Sequence, residues 1–446
     1  MATPNMHEDN QPSTLPDNLE LLVADASGLP RGKAIKTSSF DPQHLPHLPA
    51  AIFFQTLTGT YADAMHDYDT KDEDLLLQPD WSTYTPMPWK PGSHGQVICK
   101  SIDKAGAAVA FDPRNALIRV LERYAALGLT PIVAPEAEFY LLQPSTDPTT
   151  PFNPAAGVDG RSDCGNEAFS IDALAKYQPM LDLLYERCEH TGLALSATVH
   201  EMGPAQIELN VSHGDALSRA DQLFLLKRLV KSCALEHSAT ASFMAKPIEG
   251  VPGSGLHLHC SLYDGDEHNL FSLERGKAPP ELQQFIAGLQ QYLPRAFALI
   301  TPSVNSYKRF VPDLSAPINL EWGYDNRTTG LRVPYSPDKD GRVENRVAGA
   351  DANPYLFMAC TLACGLLGME NELRPTAATE EDAYEQPANL PQGLAYSLDA
   401  LADCEAIIDL IGKPCVDAYI SVKRSELAHH NNEISAWERR YLGAEV

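Results

Sequence analysis

The spacing of apolar positions changes character near residue 111. Upstream, apolar residues gather in short runs, Leu19 to Ala24, Ala34 to Thr37, Ala51 to Thr56 and Gly95 to Ser101. Turn sequences such as G-L-P-R-G-K and K-P-G-S-H-G lie between them. Runs of that length bounded by glycine and proline predict strands, and so a small β-rich domain over residues 18–110. Downstream the repeat lengthens. Asp112 is placed to cap a helix and Pro113 to occupy its first position. Leu117, Val120, Leu121 and Tyr124 then recur at helical spacing before Gly128 closes the element. A strand is expected from Thr130 to Leu142, followed by a helix kinked at Pro179 and running towards Gly192. A strand through Val199, a Gly-Pro turn and a strand through Asn210 come next, then a helix from Leu217 to Glu236 and strands around Met244 and His257. Strands interleaved with helices predict an α+β catalytic domain over residues 111–446.

Residues 1–17 are polar and proline-bearing, without a basic start or an apolar core, so they read as a disordered tail and not a secretory signal. No apolar run approaches the roughly eighteen residues that a membrane-spanning helix needs. The formal charge of −25 excludes a basic nucleic-acid-binding face and would steer cationic substrates inward, although solubility alone accounts for it. The nine cysteines are dispersed. Cys360 and Cys364 share helical spacing in the apolar stretch A-C-T-L-A-C-G-L-L, and no C-x-x-C pair points to zinc or redox chemistry. Reduced, partly buried thiols of a cytoplasmic protein are expected.

Five glutamates and a histidine carry the candidate chemistry. Glu136 and Glu138, in P-E-A-E-F-Y, lie two apart in an expected strand and so point to one face. Such a pair is ordinarily a solvated face, but I-V-A-P before it and F-Y-L-L after it predict burial, and buried carboxylates need partners. Glu201 and Glu208, in H-E-M-G-P-A-Q-I-E, are separated by a Gly-Pro turn that can fold Glu208 back towards Glu201, with Gln206 and Asn210 on the same face. His257 and His259, in G-S-G-L-H-L-H, again share a face, after glycines that let backbone approach a ligand. Glu344 lies in R-V-E-N-R. A carboxylate-rich set with one or two imidazoles favours Mg²⁺ or Mn²⁺ over zinc. Arg309, Arg327, Arg332, Arg342 and Arg346 crowd one short stretch, and guanidinium forks match carboxylate and phosphate oxygens.

Taken in order, these motifs resemble the glutamine synthetase superfamily over nearly the whole chain. The early part is similar to its β-grasp domain through D-A-S-G-L-P-R-G-K-A-I and D-Y-D-T-K-D-E-D-L-L-L-Q-P-D-W-S-T. The later part is similar to its catalytic domain, a curved antiparallel sheet with helices. The resemblance implies two metal sites, one held by Glu138, Glu201 and Glu208, the other by Glu136, His257 and Glu344 beside the ATP phosphates. It places His259, Ser261, Arg327 and Arg342 at the nucleotide, with Arg332 grouped among these cofactor-binding arginines. Gly253, Arg309 and Arg346 match positions that hold L-glutamate. Arg327 and Arg346 are the expected catalytic arginines. A homo-oligomeric dodecamer of two stacked hexamer rings is implied, with sites between neighbouring subunits.

The departures point to the acceptor. Ser315 stands where glutamine synthetases carry a flap glutamate, in R-F-V-P-D-L-S-A-P, and Gln55 stands near the position of an aspartate in the small domain. Pro252 replaces a glutamate-binding asparagine. Two carboxylates hold a small cation by several kcal/mol in a low-dielectric pocket, which Ser and Gln do not replace. The stretch E-W-G-Y-D-N-R-T around Trp322 is closer to the γ-glutamyl-amine ligase branch, which includes γ-glutamylputrescine synthetase. The expectation is an ATP-dependent ligase joining the glutamate γ-carboxyl to putrescine or a longer polyamine through a γ-glutamyl phosphate. Asp313 is the candidate base for the amine. The alternatives are ammonium-using glutamine synthetase and a γ-glutamyl ligase for ethanolamine or another monoamine.

Overall fold

The computed structural model describes residues 12, 14–63, 65–68, 71–147 and 149–443. The expected tail over 1–17 falls mostly outside the described residues. The chain is α+β, with two sheets among the described residues. The first takes six strands from residues 18–102, and its spine is a parallel pair, Asn18–Ala24 against His94–Ile102, in an otherwise antiparallel sheet. Alternation explains it: Leu19, Leu21 and Val23 turn to one core with Phe53, Phe54, Leu77 and Val97, while Leu22 and Ala24 join the larger core behind.

The second sheet has nine strands. Its main path runs Trp322–Tyr324, Leu331–Val333, Val343–Asn345, Leu256–Tyr263, Thr130–Leu142, Gln206–Val211 and Leu195–His200. Neighbours are antiparallel except the first pair. Period two divides its residues cleanly. Val133, Ala137, Phe139, Ile207, Leu209, Leu256, Leu258, Leu331 and Val343 are buried in one core. Glu136, Glu138, Glu208, His257, His259, Arg332 and Glu344 occupy the intervening positions, and so the opposite face.

The helices Pro113–Ala126 and Ala216–Glu236 back the apolar face, and Pro354–Glu370 packs on both of them. Asp112 caps the first by accepting from the Arg114 amide at 2.8 Å, with Pro113 in the first turn. Pro354–Glu370 is buried all round, including Cys360 and Cys364, so it is a central helix and has no solvent face. Its glycines set the packing distance: a Cβ on Gly368 would stand 2.1 Å from the Gln284 carbonyl of the neighbouring Pro280–Tyr292 helix. All nine cysteines are free, and only Cys164 is exposed. Among the described residues no helix is long and apolar enough to cross a membrane.

Three local expectations are corrected. The run Ala51 to Thr56 is not a strand: Ala50–Phe54 forms a 3-10 turn with all five side chains buried. A short continuous apolar run carries no period, and burial on all sides decided its shape. Pro179 does not kink a helix. It sits in the first turn of Gln178–Thr191, after a separate helix Ile171–Ala175, where its missing N–H is harmless. Met244 lies beyond the strand Thr240–Ser242 and is exposed.

Candidate active site

Register assembles the site from segments far apart in the chain. Glu136 lies between His257 on one neighbouring strand and Asn210 on the other. Glu138 faces Glu208, and Glu344 lies between His259 and Arg332. Five strands thus place their polar positions in one band. Glu201 joins from just beyond Leu195–His200, where its amide donates to the Gln206 carbonyl at 2.8 Å and closes the expected turn.

The side chains converge but leave two imidazole nitrogens unsatisfied. The Glu138 carboxylate accepts from Gln206 Nε2 at 2.8 Å and from the Gly255 amide at 2.9 Å. His259 Nε2 meets Glu136 at 2.9 Å. His257 stands 3.5 Å from Glu136, 3.7 Å from Glu138 and 3.7 Å from Glu344, and its buried Nε2 has no hydrogen-bond partner. His259 Nδ1 is likewise unpartnered. Donor atoms of Glu136, Glu208 and His257 lie within 4.8 Å of one another, as do those of Glu136, His259 and Glu344. These groupings share Glu136 and cut across the two expected triads.

Electrostatics separates the carboxylates into two kinds. Burial, reinforced by Glu138, pushes the Glu201 carboxyl up to about 7. Burial together with Glu136, Glu138 and Glu201 pushes Glu208 up to about 9. Burial also opposes ionisation of Glu344, but Arg346, His259 and His257 outweigh it and hold that carboxyl down at about 2. At Glu136 the neighbouring imidazoles of His257 and His259 likewise overcome burial and hold the carboxyl well below the usual range. An anion-rich centre with unpartnered imidazole nitrogen fits hard divalent cations: oxygen donors dominate, and a cation would reverse the repulsion that raises Glu201 and Glu208.

One wall is cationic. Arg346 Nη1 lies 2.5 Å and Arg332 Nη1 3.0 Å from the two Glu344 oxygens. Arg309 is fully buried and donates to the Val347 and Arg346 carbonyls at 2.8 and 3.1 Å; burial lowers its guanidinium to about 10. Gly255 admits this crowding, since a Cβ there would stand 2.6 Å from His257 Nε2 and 2.8 Å from Arg309 Nη2. At Gly253 a Cβ would meet the Ala245 carbonyl at 2.4 Å.

A cleft of about 550 Å³ opens beside Glu136, lined by His259, Ser261, Arg342, Asn210 and Tyr263. Three of the expected nucleotide residues therefore share one cavity. Arg332 faces the carboxylates, and Arg327 is exposed near Asp325. Asp313 and Ser315 sit on an exposed loop, both left-handed at φ 62° and 63°. The Ser315 hydroxyl lies 3.5 Å from Met202 Sδ, next to Glu201. Gln55 lies in a separate turn bridged to Tyr61. Two supports escaped the sequence reading. His200 is not part of the cluster; it is buried against Asp163 at 3.1 Å, which also accepts from Lys176 and Tyr177. Tyr384 reaches the 313–316 loop through the Ala316 carbonyl. His200 opens the H-E-M-G-P-A-Q-I-E motif and Tyr384 follows the acidic run Glu380 to Asp382, but neither pattern states these contacts.

The glutamine synthetase catalytic-domain family profile matches residues 110–442. A gamma-glutamylputrescine synthetase of Escherichia coli is 33% identical over 435 residues, covering 96% of this chain and 90% of that one. A glutamine synthetase of Pyrococcus abyssi is 32% identical over 430 residues, covering 92% and 90%. A glutamate–isopropylamine ligase of a Pseudomonas species is 31% identical over 448 residues, covering 96% and 95%. Among solved structures, GmaS without ligand matches with a TM-score of 0.81 at 28% identity, covering 96% of each chain.

Proposed function

The chain belongs to the glutamine synthetase family, and from that premise we propose that it is an ATP-dependent ligase joining the γ-carboxyl of L-glutamate to an organic amine, putrescine or a longer polyamine. The observation that carries the acceptor assignment is the loop beside Glu201. Ser315, a neutral side chain, meets Met202 there, where the resemblance calls for a glutamate. Relatives that share nearly the whole chain are named for putrescine and isopropylamine. GmaS forms an ADP complex, which supports nucleotide use here.

Glu136, Glu138, Glu201, Glu208, His257 and Glu344 would hold roughly two to three Mg²⁺ or Mn²⁺ ions per site, which when bound neutralise phosphate charge. His259, Ser261 and Arg342 take the nucleotide in the cleft beside Glu136. Gly253, Arg309 and Arg346 receive glutamate. Its γ-carboxylate attacks the ATP γ-phosphorus, breaking the bond to ADP and forming γ-glutamyl phosphate. Arg327, Arg332 and Arg346 offset the charge that develops. The neutral amine then attacks the acyl carbon and expels inorganic phosphate, and Asp313 takes the proton released by the attacking nitrogen. The small domain over 18–110, the catalytic domain over 111–446, a dodecamer of two hexamer rings and a cytoplasmic location belong to the same proposal.

Phosphate release at fixed glutamate and ATP tests the acceptor, across ammonium, putrescine, longer polyamines, ethanolamine and other monoamines, with product masses measured. Putrescine or a longer polyamine is expected to exceed ammonium in kcat/KM by at least about tenfold, the equivalent of about 1.4 kcal/mol. A preference for ammonium, the glutamine synthetase reading, overturns the acceptor assignment. No release with any amine overturns the ligase assignment.

A further inference from the structure

Residues 376–390 run along the 316–328 segment as a strap. Trp322 Nε1 donates to the Thr376 carbonyl at 2.8 Å, and the Thr379 amide donates to the Trp322 carbonyl at 2.7 Å. Asn319 Nδ2 donates to the Ala383 carbonyl at 2.7 Å, and the Leu320 amide to Asn389 Oδ1 at 3.1 Å. Tyr384 makes the fastening at the site end: its hydroxyl donates to the Ala316 carbonyl at 3.1 Å. The half-buried Tyr384 side chain stands in the fields of Arg346, Arg309 and Asp313.

That loop needs holding. Asp313 and Ser315 are both left-handed, and Val311, Pro312, Asp313 and Ser315 are exposed. A non-glycine residue in that conformation is disfavoured and persists where surrounding contacts over-determine it. Ala316 directly follows the strained pair and is buried.

We propose that Tyr384 is a positioning residue for the acceptor amine: by gripping the Ala316 carbonyl it sets the Asp313–Ser315 turn against Met202, beside the carboxylate cluster. This rests on the ligase reading above and deepens it by assigning the acceptor side of the site its support. Tyr384 touches no reacting atom. It acts through the loop.

The test is Tyr384→Phe in the full-length enzyme, which keeps the ring and removes only the hydroxyl that grips the Ala316 carbonyl. One hydrogen bond is worth roughly a two- to tenfold effect, so the amine KM is expected to rise by about that factor. The glutamate KM should stay within about twofold, because Arg309 and Arg346 are untouched. Hydrogen exchange should quicken in peptides spanning 311–318 and stay unchanged in 130–142. Asn389→Ala, which loosens the strap farther from the turn, is the control and should leave the amine KM within about twofold. An unchanged amine KM, equal rises for amine and glutamate, or an equal effect of Asn389→Ala overturns the assignment. The KM is read for whichever acceptor the wild type uses best, ammonium included, so failure of the organic-amine reading leaves this test intact. Were no acceptor used, exchange at 311–318 alone would decide it, and unchanged exchange would refute it.

Discussion

Glu208→Gln is expected to make the metal-free protein more stable and the enzyme nearly inactive. Glu208 lies directly across from Glu138, and among the described side chains its one hydrogen bond comes from Asn210 at 3.1 Å. Burial and three neighbouring glutamates push its carboxyl up to about 9, so near neutral pH the fold must either bind a proton there or bear an uncompensated charge. The amide has the same shape and removes that cost. With chelator present the variant should therefore melt higher than wild type. It also removes an anionic donor from the group Glu136, Glu208 and His257. Losing the outer support of a metal ligand costs about 10- to 100-fold, so losing a ligand should cost at least about 100-fold in turnover, with Mn²⁺ affinity falling alongside. Glu344→Gln is the counterpart. Glu344 is buried between Arg332 and Arg346; removing its charge strands Arg346, while Arg332 keeps Asp325, which should destabilise by about 3 kcal/mol. Chelated melts, Mn²⁺ calorimetry and phosphate release together decide the matter. A lower chelated melt for Glu208→Gln, or unchanged Mn²⁺ affinity, would falsify the assignment of Glu208 to a cation site. Such a site spends fold stability on function.

The sheet face was legible because its signal is local. Glu136 with Glu138, His257 with His259, and Gln206 with Glu208 and Asn210 each follow period two within one strand, and apolar residues between them specify the buried side. The cap at Asp112 and Pro113 is equally local. The meeting of these strands was not local. Glu344 lies beside His259 because of pairing between segments far apart, and nothing in R-V-E-N-R by itself states that register. The motif order, through its resemblance to a family, stood in for that information. Where neither local period nor motif spoke, the reading failed. Ala50–Phe54 is apolar throughout and took its shape from the cavity it fills. His200 sits inside a site motif, yet its contacts are to Asp163, a residue without a pattern of its own. Tyr384 contributes one hydroxyl at a bend in a strap, and only the fold shows what it touches.

The charge cluster also predicts how stability should follow pH and metal. Glu201 and Glu208 ordinarily titrate at 4.5, and the fold raises them to about 7 and about 9. Below pH 4.5 both are protonated whether the chain is folded or not, and neither opposes folding. As pH rises above 4.5 the unfolded chain releases these protons while the folded chain retains them, so their contribution to stability falls until about pH 9. Together they should remove on the order of several kcal/mol across that window in the metal-free protein. Glu136 and Glu344 are shifted the other way, and their contribution changes only below pH 4.5. Lys227, lowered to about 7 by burial, opposes the trend above neutrality, so a bare pH profile mixes signs. The difference between wild type and Glu208→Gln in chelator cancels Lys227, which both share. That difference should widen steadily from pH 5 to pH 9. Saturating Mn²⁺ binds the folded wild type at deprotonated carboxylates, so the stabilisation it confers should grow over the same range. Melting curves at five pH values, with and without metal, measure both quantities. A constant difference between the two proteins, or a metal effect that shrinks as pH rises, would show that burial and neighbouring glutamates do not raise Glu208 in an anionic cation site.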